Sequence, residues 1–415
     1  MKIRWITPLL GTAAATAVQN ESDIYIVDVR DLVDKAGNGT EAIRAKIRQG
    51  VESLTQGNRT VVCCDYGMSR SNAIATGILS SFDKKDFDAA LHQVQEATGE
   101  TQIKLEPLNA VREALGLLSS VRKLDIKQRT VLVTGGGGFL GRALCASIGS
   151  EFKILAPTRS QLDIGLGSTQ LDLLVRETGI DCIVHLANPR IYTSNVAMGQ
   201  TITMLKNVID VCLARDIPLV YPSGWEIYSG YAGILSASEA TPALPRGPYG
   251  EAKHLAEILI EHSRRTAGFR CALLRSSPIY GVGGDKPKFI YNFIEKARRS
   301  QTIVTHCYRN GPPGLDLMYV DDLVSALVAT LKSGFTGTVN LGTGVLTSTM
   351  QIAQILRDSL ESKSNIEQTT IEADVASIAM VSRHAQAALD WRPTVSLESG
   401  LERLLSGNKI NRNEK

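Results

Sequence analysis

Apolar residues recur at strand and helix spacing along two stretches of the 415-residue chain, and the two are separated by a short polar break. In the first stretch DIYIVDVRD alternates apolar and polar positions and predicts a strand running into a loop. AIRAKIRQGVESLTQ has helical spacing, NRTVVCC reads as a strand, and SRSNAIATGILSSF opens a helix. DAALHQVQEA and PLNAVREALGLL predict two further helices. The segment SSVRKLDIKQR is then polar and charged, and TVLVTGGGGFLGRAL starts a new α/β pattern. This predicts one domain over residues 1–118 and a second over 128–405, with a polar, frayed end. The opening MKIRWITPLLGTAAATAV mimics a signal peptide, but Thr7, Pro8, Gly11 and Thr12 interrupt its apolar run, so it is assigned to the first domain. No uninterrupted apolar run reaches the ~18 residues of a membrane span, so no membrane partner is expected.

Composition narrows the function classes. Hydrophobic residues make up 43% and charged residues 21%, as in globular proteins with large cores. The net charge of +3 leaves no electrostatic footprint for nucleic acid. Seven cysteines are scattered without a paired CxxC, which predicts reduced thiols and a cytoplasmic location. No spacing suggests a metal site. Of the histidines, His185 is expected to pack before a loop, and His306 to lie in a polar loop.

The stretch VVCCDYGMSRS puts Cys64 at the carboxyl end of a strand and Arg70 at the start of a helix. Backbone N–H groups of such a loop converge with a helix N-terminus on an anion site. A cysteine facing that field has a lowered pKa, and Arg70 is placed to clamp phosphate oxygens. The plain alternative is a buried thiol before a turn. The pattern Cys, five residues, Arg, Ser resembles the signature of dual-specificity and tyrosine phosphatases over roughly the first 115 residues. That resemblance implies Cys64 as a nucleophile forming a thiophosphate, Arg70 as the phosphate binder and Ser71 as the group stabilising the thiolate. It also implies an upstream aspartate as general acid: Asp31 has the best spacing, with Asp28 and Asp34 as alternatives. Cys63 stands where those enzymes carry histidine, so the domain either hydrolyses a phosphomonoester or only binds a phosphorylated small molecule or protein.

TVLVTGGGGFLGRAL spaces Gly135, Gly138 and Gly141 between a β-branched strand and a helix, the pattern of a dinucleotide-binding turn that continues through Phe139 and Leu140. The second strand, FKILAPTRSQLDI, ends in Thr158-Arg159 and not in an acidic residue. A guanidinium there suits a 2′-phosphate, so NADP is favoured over NAD, with Arg142 in support if it turns toward the adenosine. Asp163 is a candidate for the adenine edge. IDCIVHLANPR reads as a fourth parallel strand, whose Leu186, Ala187 and Asn188 pass under the cofactor.

In PYGEAKHLAEILIEHS, Tyr249 and Lys253 stand at i and i+4 on one helix face. A lysine beside a phenol lowers its pKa and makes it an acid/base near neutrality. With TGGGGFLG, HLA, YPSGWEIYSG, PYGEAK, LLRSSPIYGVGG, LMYVDDLVSAL and VNLGTG in order, residues 130 to about 400 are identified as a member of the extended short-chain dehydrogenase/reductase group of epimerases, dehydratases and reductases. The end of the second strand resembles the reductase branch. The resemblance implies a doubly wound Rossmann sheet with a small C-terminal substrate lobe, Tyr249 as general acid/base, Lys253 as its partner, and a sugar substrate linked to a nucleotide. Members commonly pair through helices, which makes a homodimer one expectation.

The family's catalytic hydroxyl aligns with Gly224, with Ser223 one residue earlier as the substitute. Leu315 stands where many members carry a diphosphate-binding arginine, leaving Arg275, Arg309 and Lys288 as candidates. Asp321 and Asp322 are read as helix caps. Dehydratases carry Asp-Glu after the hydroxyl; here Trp225 and Glu226 follow, which points toward reduction or epimerisation. Two rival readings are an NADP-sensing, phosphate-reading regulator without turnover, and a protein phosphatase controlled by NADP(H).

Overall fold

A computed structural model describes residues 2–19, 21–33, 37–101, 103–117, 128–148, 151–189 and 191–410. Asp34 and most of the polar break at residue 120 lie outside the described residues. The chain forms two compact units: Met1–Lys127 with Asp163–Glu177, and Gln128–Leu162 with Thr178–Lys415.

The first unit runs β1 (Arg4–Trp5), β2 (Leu10–Ala14), β3 (Tyr25–Asp28), α1 (Thr40–Thr55), β4 (Thr60–Cys64), α2 (Arg70–Asp83), α3 (Phe87–Thr98) and α4 (Leu105–Ala114). Its sheet has the order β1-β2-β4-β3; β2, β4 and β3 are parallel and β1 is antiparallel. Thus the signal-like opening supplies an inner strand, β2, buried at all five positions. Its Gly-Thr-Ala-Ala content has little β propensity, and a strand buried on both faces shows no alternation. Helix α2 is buried at ten consecutive positions, Ser71–Ser80, against β2, β4 and the other three helices.

The second unit begins with β5 (Arg129–Thr134), α5 (Phe139–Ser147) and β6 (Phe152–Leu155). Next comes α6 (Thr169–Thr178), which falls almost wholly within the first unit's segment. The order continues β7 (Cys182–His185), α7 (Asn195–Arg215), β8 (Leu219–Gly224), β9 (Gly233–Ala237), α8 (Gly247–Ala267), β10 (Cys271–Ser276) and β11 (Ile279–Tyr280). Then follow α9 (Lys288–Arg298), β12 (Ile303–Tyr308), β13 (Gly314–Leu315), β14 (Met318–Tyr319), α10 (Val320–Ser333), β15 (Gly337–Leu341) and β16 (Thr347–Ser348). The chain ends with α11 (Thr349–Ser359), β17 (Ile366–Ile371), β18 (Ala376–Met380), α12 (Arg383–Leu389) and α13 (Leu397–Ile410).

Six strands form an all-parallel sheet, β15-β10-β8-β7-β5-β6. The chain steps from β5 to β6 in one direction and from β7 to β8 in the other. Right-handed crossovers therefore place α5 and α7 on opposite faces, a doubly wound Rossmann-like sheet. IDCIVHLANPR supplies the third strand of this sheet in chain order, not the fourth: among the described residues no strand lies between β6 and β7. The intervening TRSQLDIGLGST is polar and glycine-broken, with nothing to build a buried parallel strand. The C-terminal portion adds a four-stranded sheet, β16-β13-β18-β9, and the pair β12-β17. His306 is on β12, opposite Thr369, and not in a loop.

Buried carboxylates tie these parts down. Asp316 is fully buried and accepts from the Thr343 amide (2.9 Å) and hydroxyl (2.6 Å), the Gly344 amide (3.1 Å) and the Met380 amide (2.9 Å). Asp322 sits in the first turn of α10 but does not cap it; its carboxylate accepts from Thr394 and Val395 amides and anchors the C-terminal segment. Asp321 does not cap either and pairs with Arg403 at 3.1 Å.

Candidate active site

The glycine turn between β5 and α5 is shaped by backbone contacts. Gly135 has φ +74°, and a Cβ there would lie 2.7 Å from the Ala187 amide nitrogen. Leu186 donates its amide to Thr134 O (3.0 Å) and Ala187 to the Thr134 hydroxyl (3.4 Å), so the end of β7 is laid directly against the turn. A Cβ at Gly141 would run into the Gly135 carbonyl and lie 2.6 Å from Gly136 Cα. Gly141 therefore lets the helix close on the turn itself. Gly137 has open space around it, and α5 begins at Phe139 after Gly138 with no side chain capping its amides. Bare backbone at a helix N-terminus fits a dinucleotide pyrophosphate. Gly141→Ala has no soft neighbour to displace, so NADPH affinity is expected to fall about tenfold or more, the equivalent of ~1.4 kcal/mol, read by calorimetric titration.

Arg142 does not turn outward: its guanidinium donates to Gly137 O (2.6 Å) and Gly283 O (3.1 Å). β6 ends at Leu155, so Thr158 and Arg159 lie in the following loop, where Thr158 is held by Gln161 at 2.9 Å. Asp163 accepts from the Gly165 amide at 2.9 Å in its own turn.

Tyr249 and Lys253 lie in the first two turns of α8, which starts at a Gly-Pro pair. Lys253 is buried and donates to Pro222 O at 2.8 Å, with its nitrogen 4.7 Å from the Tyr221 ring centroid and 5.7 Å from that of Tyr249. Burial pulls its pKa down to about 8, against the opposing pull of Glu226 and Glu257. The expected lowering of the Tyr249 pKa is not what this environment produces. Burial, then the nearby Glu226, Tyr221 and Tyr192, push the phenol well above its ordinary value, and only a hydrogen bond with Asn188 works the other way. Lys253 gives one of its three N–H groups to the Pro222 carbonyl, and the enclosed phenol stays protonated near neutrality.

Ser223 is buried on β8 and its hydroxyl has no hydrogen-bond partner among the described residues. His185 is fully enclosed, hydrogen-bonded to Thr134 (2.7 Å) and stacked on Tyr221, and burial lowers its pKa to about 3. It is a neutral packing residue. Tyr192 escaped the sequence reading; its ring lies 4.8 Å from that of Tyr249. No periodicity or spacing singles it out, because it sits in an irregular loop before α7.

Two of the three proposed phosphate-binding cations, Arg275 and Arg309, are engaged elsewhere. Arg275 grips Glu257 (2.7 Å), Tyr228 OH (2.8 Å) and Glu239 O (3.1 Å). Arg309 pairs with Asp374. Lys288 is the first residue of α9, and Leu315 is on β13.

In the first unit, Cys64 Sγ accepts from the Gly67 amide at 3.1 Å and lies 3.4 Å from Ser71 Oγ. Burial pushes the thiol up, but Ser71 and the backbone amides of Ser71, Tyr66 and Met68 pull harder, and the net shift is downward. Cys63 is pushed up to about 11 by burial and Asp28, so it stays a thiol. Arg70 does not stand open over the loop. It is paired with Asp65 and donates to Leu32 O (2.7 Å) and Arg30 O (3.3 Å). Asp31 pairs with Lys46 at 2.9 Å. Asp28 is chelated by Arg30, which holds its carboxyl below the ordinary range and leaves it no proton to give near neutrality.

No described helix is long and apolar enough to cross a membrane. The chain is 26% identical over 319 residues to the dTDP-4-dehydro-6-deoxyglucose reductase of Escherichia coli, a match covering 68% of this chain and 98% of that protein. Two solved structures share the fold at a TM-score of 0.60, each over 68% of this chain and 99% of its own. They are the Thermus thermophilus UDP-glucose 4-epimerase in complex with NAD, 20% identical, and RMD from Pseudomonas aeruginosa complexed with NADPH, 21% identical. The profile of the NAD dependent epimerase/dehydratase family matches residues 131–342, just over half the chain, spanning the glycine turn, Tyr249 and Lys253. The chain therefore belongs to the NAD dependent epimerase/dehydratase family, and its cofactor is NAD(P).

Proposed function

We propose that the second unit reduces or epimerises a sugar linked to a nucleoside diphosphate. The observation that carries this is Tyr249 one helical turn before buried Lys253, whose nitrogen lies 5.7 Å from the phenol ring centroid, on a sheet whose glycine turn fits a dinucleotide. Gly135, Gly138, Phe139, Leu140 and Gly141 would hold the pyrophosphate, with Leu186 and Ala187 beneath. When bound, NAD(P) supplies the hydride acceptor or donor. Tyr249 exchanges a proton with the substrate oxygen. Asn188 fixes the phenol's direction, and Lys253, charged below pH about 8, holds the cofactor's ribose. Arg159 in the loop after β6, with no acidic residue at that strand's end, favours NADP. The Escherichia coli relative is named as a reductase of a dTDP-linked sugar, which supports the substrate class. Calorimetry on the NADPH-loaded chain tests it: a nucleoside-diphosphate sugar is expected to bind where the free sugar does not, and equal, negligible binding of both contradicts the reading.

A second reading concerns the first unit: the Cys64 loop takes a phosphomonoester. It is favoured by the amides and the Ser71 hydroxyl gathered on a thiol whose pKa they lower despite burial. Arg70 must leave Asp65 to join the anion. Hydrolysis of a small aryl phosphate by the full chain is expected to disappear in Cys64→Ser and to fall in Arg70→Ala. Wild-type hydrolysis no higher than Cys64→Ser, with no phosphate binding, would end this reading.

A further inference from the structure

Arg4 belongs to the signal-like opening, and its strand carries it to the Cys64 loop. β1 pairs antiparallel with β2, with Arg4 opposite Thr12, and β2 runs parallel to β4, with Ala13 and Ala14 opposite Cys63 and Cys64. The loop after β4 folds back onto this hairpin. Gly67 has φ +71°, and a Cβ there would lie 2.5 Å from both the Ala13 carbonyl carbon and the Ala14 amide nitrogen. The crest of the loop therefore rests on the β2 backbone, where only glycine fits. The Arg4 guanidinium takes hold of that crest: one amino group donates to Gly67 O, and the other to Thr98 O (3.4 Å) at the end of α3. A trans peptide sends its C=O and its N–H in opposite directions. Holding Gly67 O toward Arg4 thus turns the Met68 N–H the other way. That is the side on which Cys64 Sγ accepts from the Gly67 amide (3.1 Å) and lies 3.4 Å from Ser71 Oγ.

We propose that Arg4 is the positioning residue of the Cys64 loop: by fixing the Gly67–Met68 peptide from the β1–β2 hairpin, it keeps the backbone N–H groups aimed at Sγ and at any anion bound there. This rests on the reading of that loop as a phosphomonoester site. The Met68 amide is one of the groups that pull the thiol's pKa down despite burial, and it is the one whose direction Arg4 sets. The other charged and titratable groups around the loop have different tasks. Asp65 and Arg70 pair with each other, Asp28 at the end of β3 is held by Arg30, and Lys46 of α1 donates to Asp28 O (2.7 Å) and pairs with Asp31. Cys63 stays a thiol, and β2, Leu-Gly-Thr-Ala-Ala, has no charged group to offer. Arg4 acts through the Gly67 carbonyl and not on the sulfur itself.

The test follows the ultraviolet absorbance of the Cys64 thiolate against pH in the full chain, with the Cys64→Ser titration subtracted. Arg4→Ala is expected to move the midpoint up by about one pH unit, a tenfold loss of thiolate at any pH below it. Arg4→Lys, which keeps the charge and a donor for Gly67 O, is expected to recover most of that shift. Arg59→Ala is the control for a merely loosened hairpin: Arg59 lies over the Trp5 ring of β1 at 4.3 Å, and its loss should leave the midpoint in place. An unmoved midpoint in Arg4→Ala, or an equal rise in Arg59→Ala, overturns the inference. Calorimetry with inorganic phosphate separates it from the reading beneath. Binding about tenfold weaker in Arg4→Ala than in the wild type supports both. A shifted midpoint in a chain whose wild type neither binds phosphate nor hydrolyses an aryl phosphate upholds the role of Arg4 and ends the phosphomonoester reading alone.

Discussion

Tyr249→Phe is expected to lower turnover by about 10²–10⁴-fold, the range lost with a positioned acid/base, while NADPH binding changes little. The substitution removes one oxygen and keeps the ring against Tyr192. Its size follows from the site's electrostatics. The phenol is enclosed, and burial together with Glu226 keeps it protonated through the neutral range. A neutral phenol held by Asn188 is a proton donor aimed at one place, while Lys253 is turned to the Pro222 carbonyl and Ser223 is buried. Steady-state rates with separately measured cofactor affinity check this. Equal losses in both would mark Tyr249 as a packing residue.

The largest stability loss is expected from Arg112→Ala, about 3–5 kcal/mol, because it breaks a buried ion-pair cluster and takes one of two arginines from the buried Asp172. Arg112 is 1% exposed and bridges Asp172 (3.0 Å) and Asp88 (2.7 Å) across the Phe87 ring, while Arg176 closes the quartet on Asp88 at 2.8 Å. The two arginines hold the Asp88 carboxyl below its ordinary value despite burial. Its contribution is therefore present above the unfolded carboxylate pKa and is lost as pH falls through the lower folded value. Denaturant melts monitored by hydrogen exchange in α3, α4 and α6 read the effect. Asp374→Ala, breaking an exposed pair with Arg309, should leave the melt unchanged.

Much of this was legible in the chain. Strands rich in Val, Ile and Leu and the glycine turn stand out because the chemistry is local: a positive φ at Gly135 and a close approach at Gly141 both need residues without a side chain. Tyr249 and Lys253 are four residues apart on a helix, so their shared face is a matter of periodicity. What escaped depends on partners far apart in sequence. Asp65 taking Arg70, Glu257 taking Arg275 and α6 lending Asp172 to Arg112 are choices of tertiary packing with no spacing rule behind them. Strand β2 escaped because Ala, Gly and Thr carry no alternation. Glu226 was legible only as a departure from a dehydratase pattern; its place beside Gly224 required coordinates.

The most direct measurement follows the sugar itself. Proton NMR of the full chain with NADP(H) and a panel of nucleoside-diphosphate sugars registers both reduction and epimerisation, the latter invisible in net nicotinamide absorbance. The expected result is one sugar converted to a reduced or inverted product by the wild type and left unchanged by Tyr249→Phe. Cofactor bound by both proteins with every sugar untouched would contradict the account and leave a dinucleotide-binding protein without turnover.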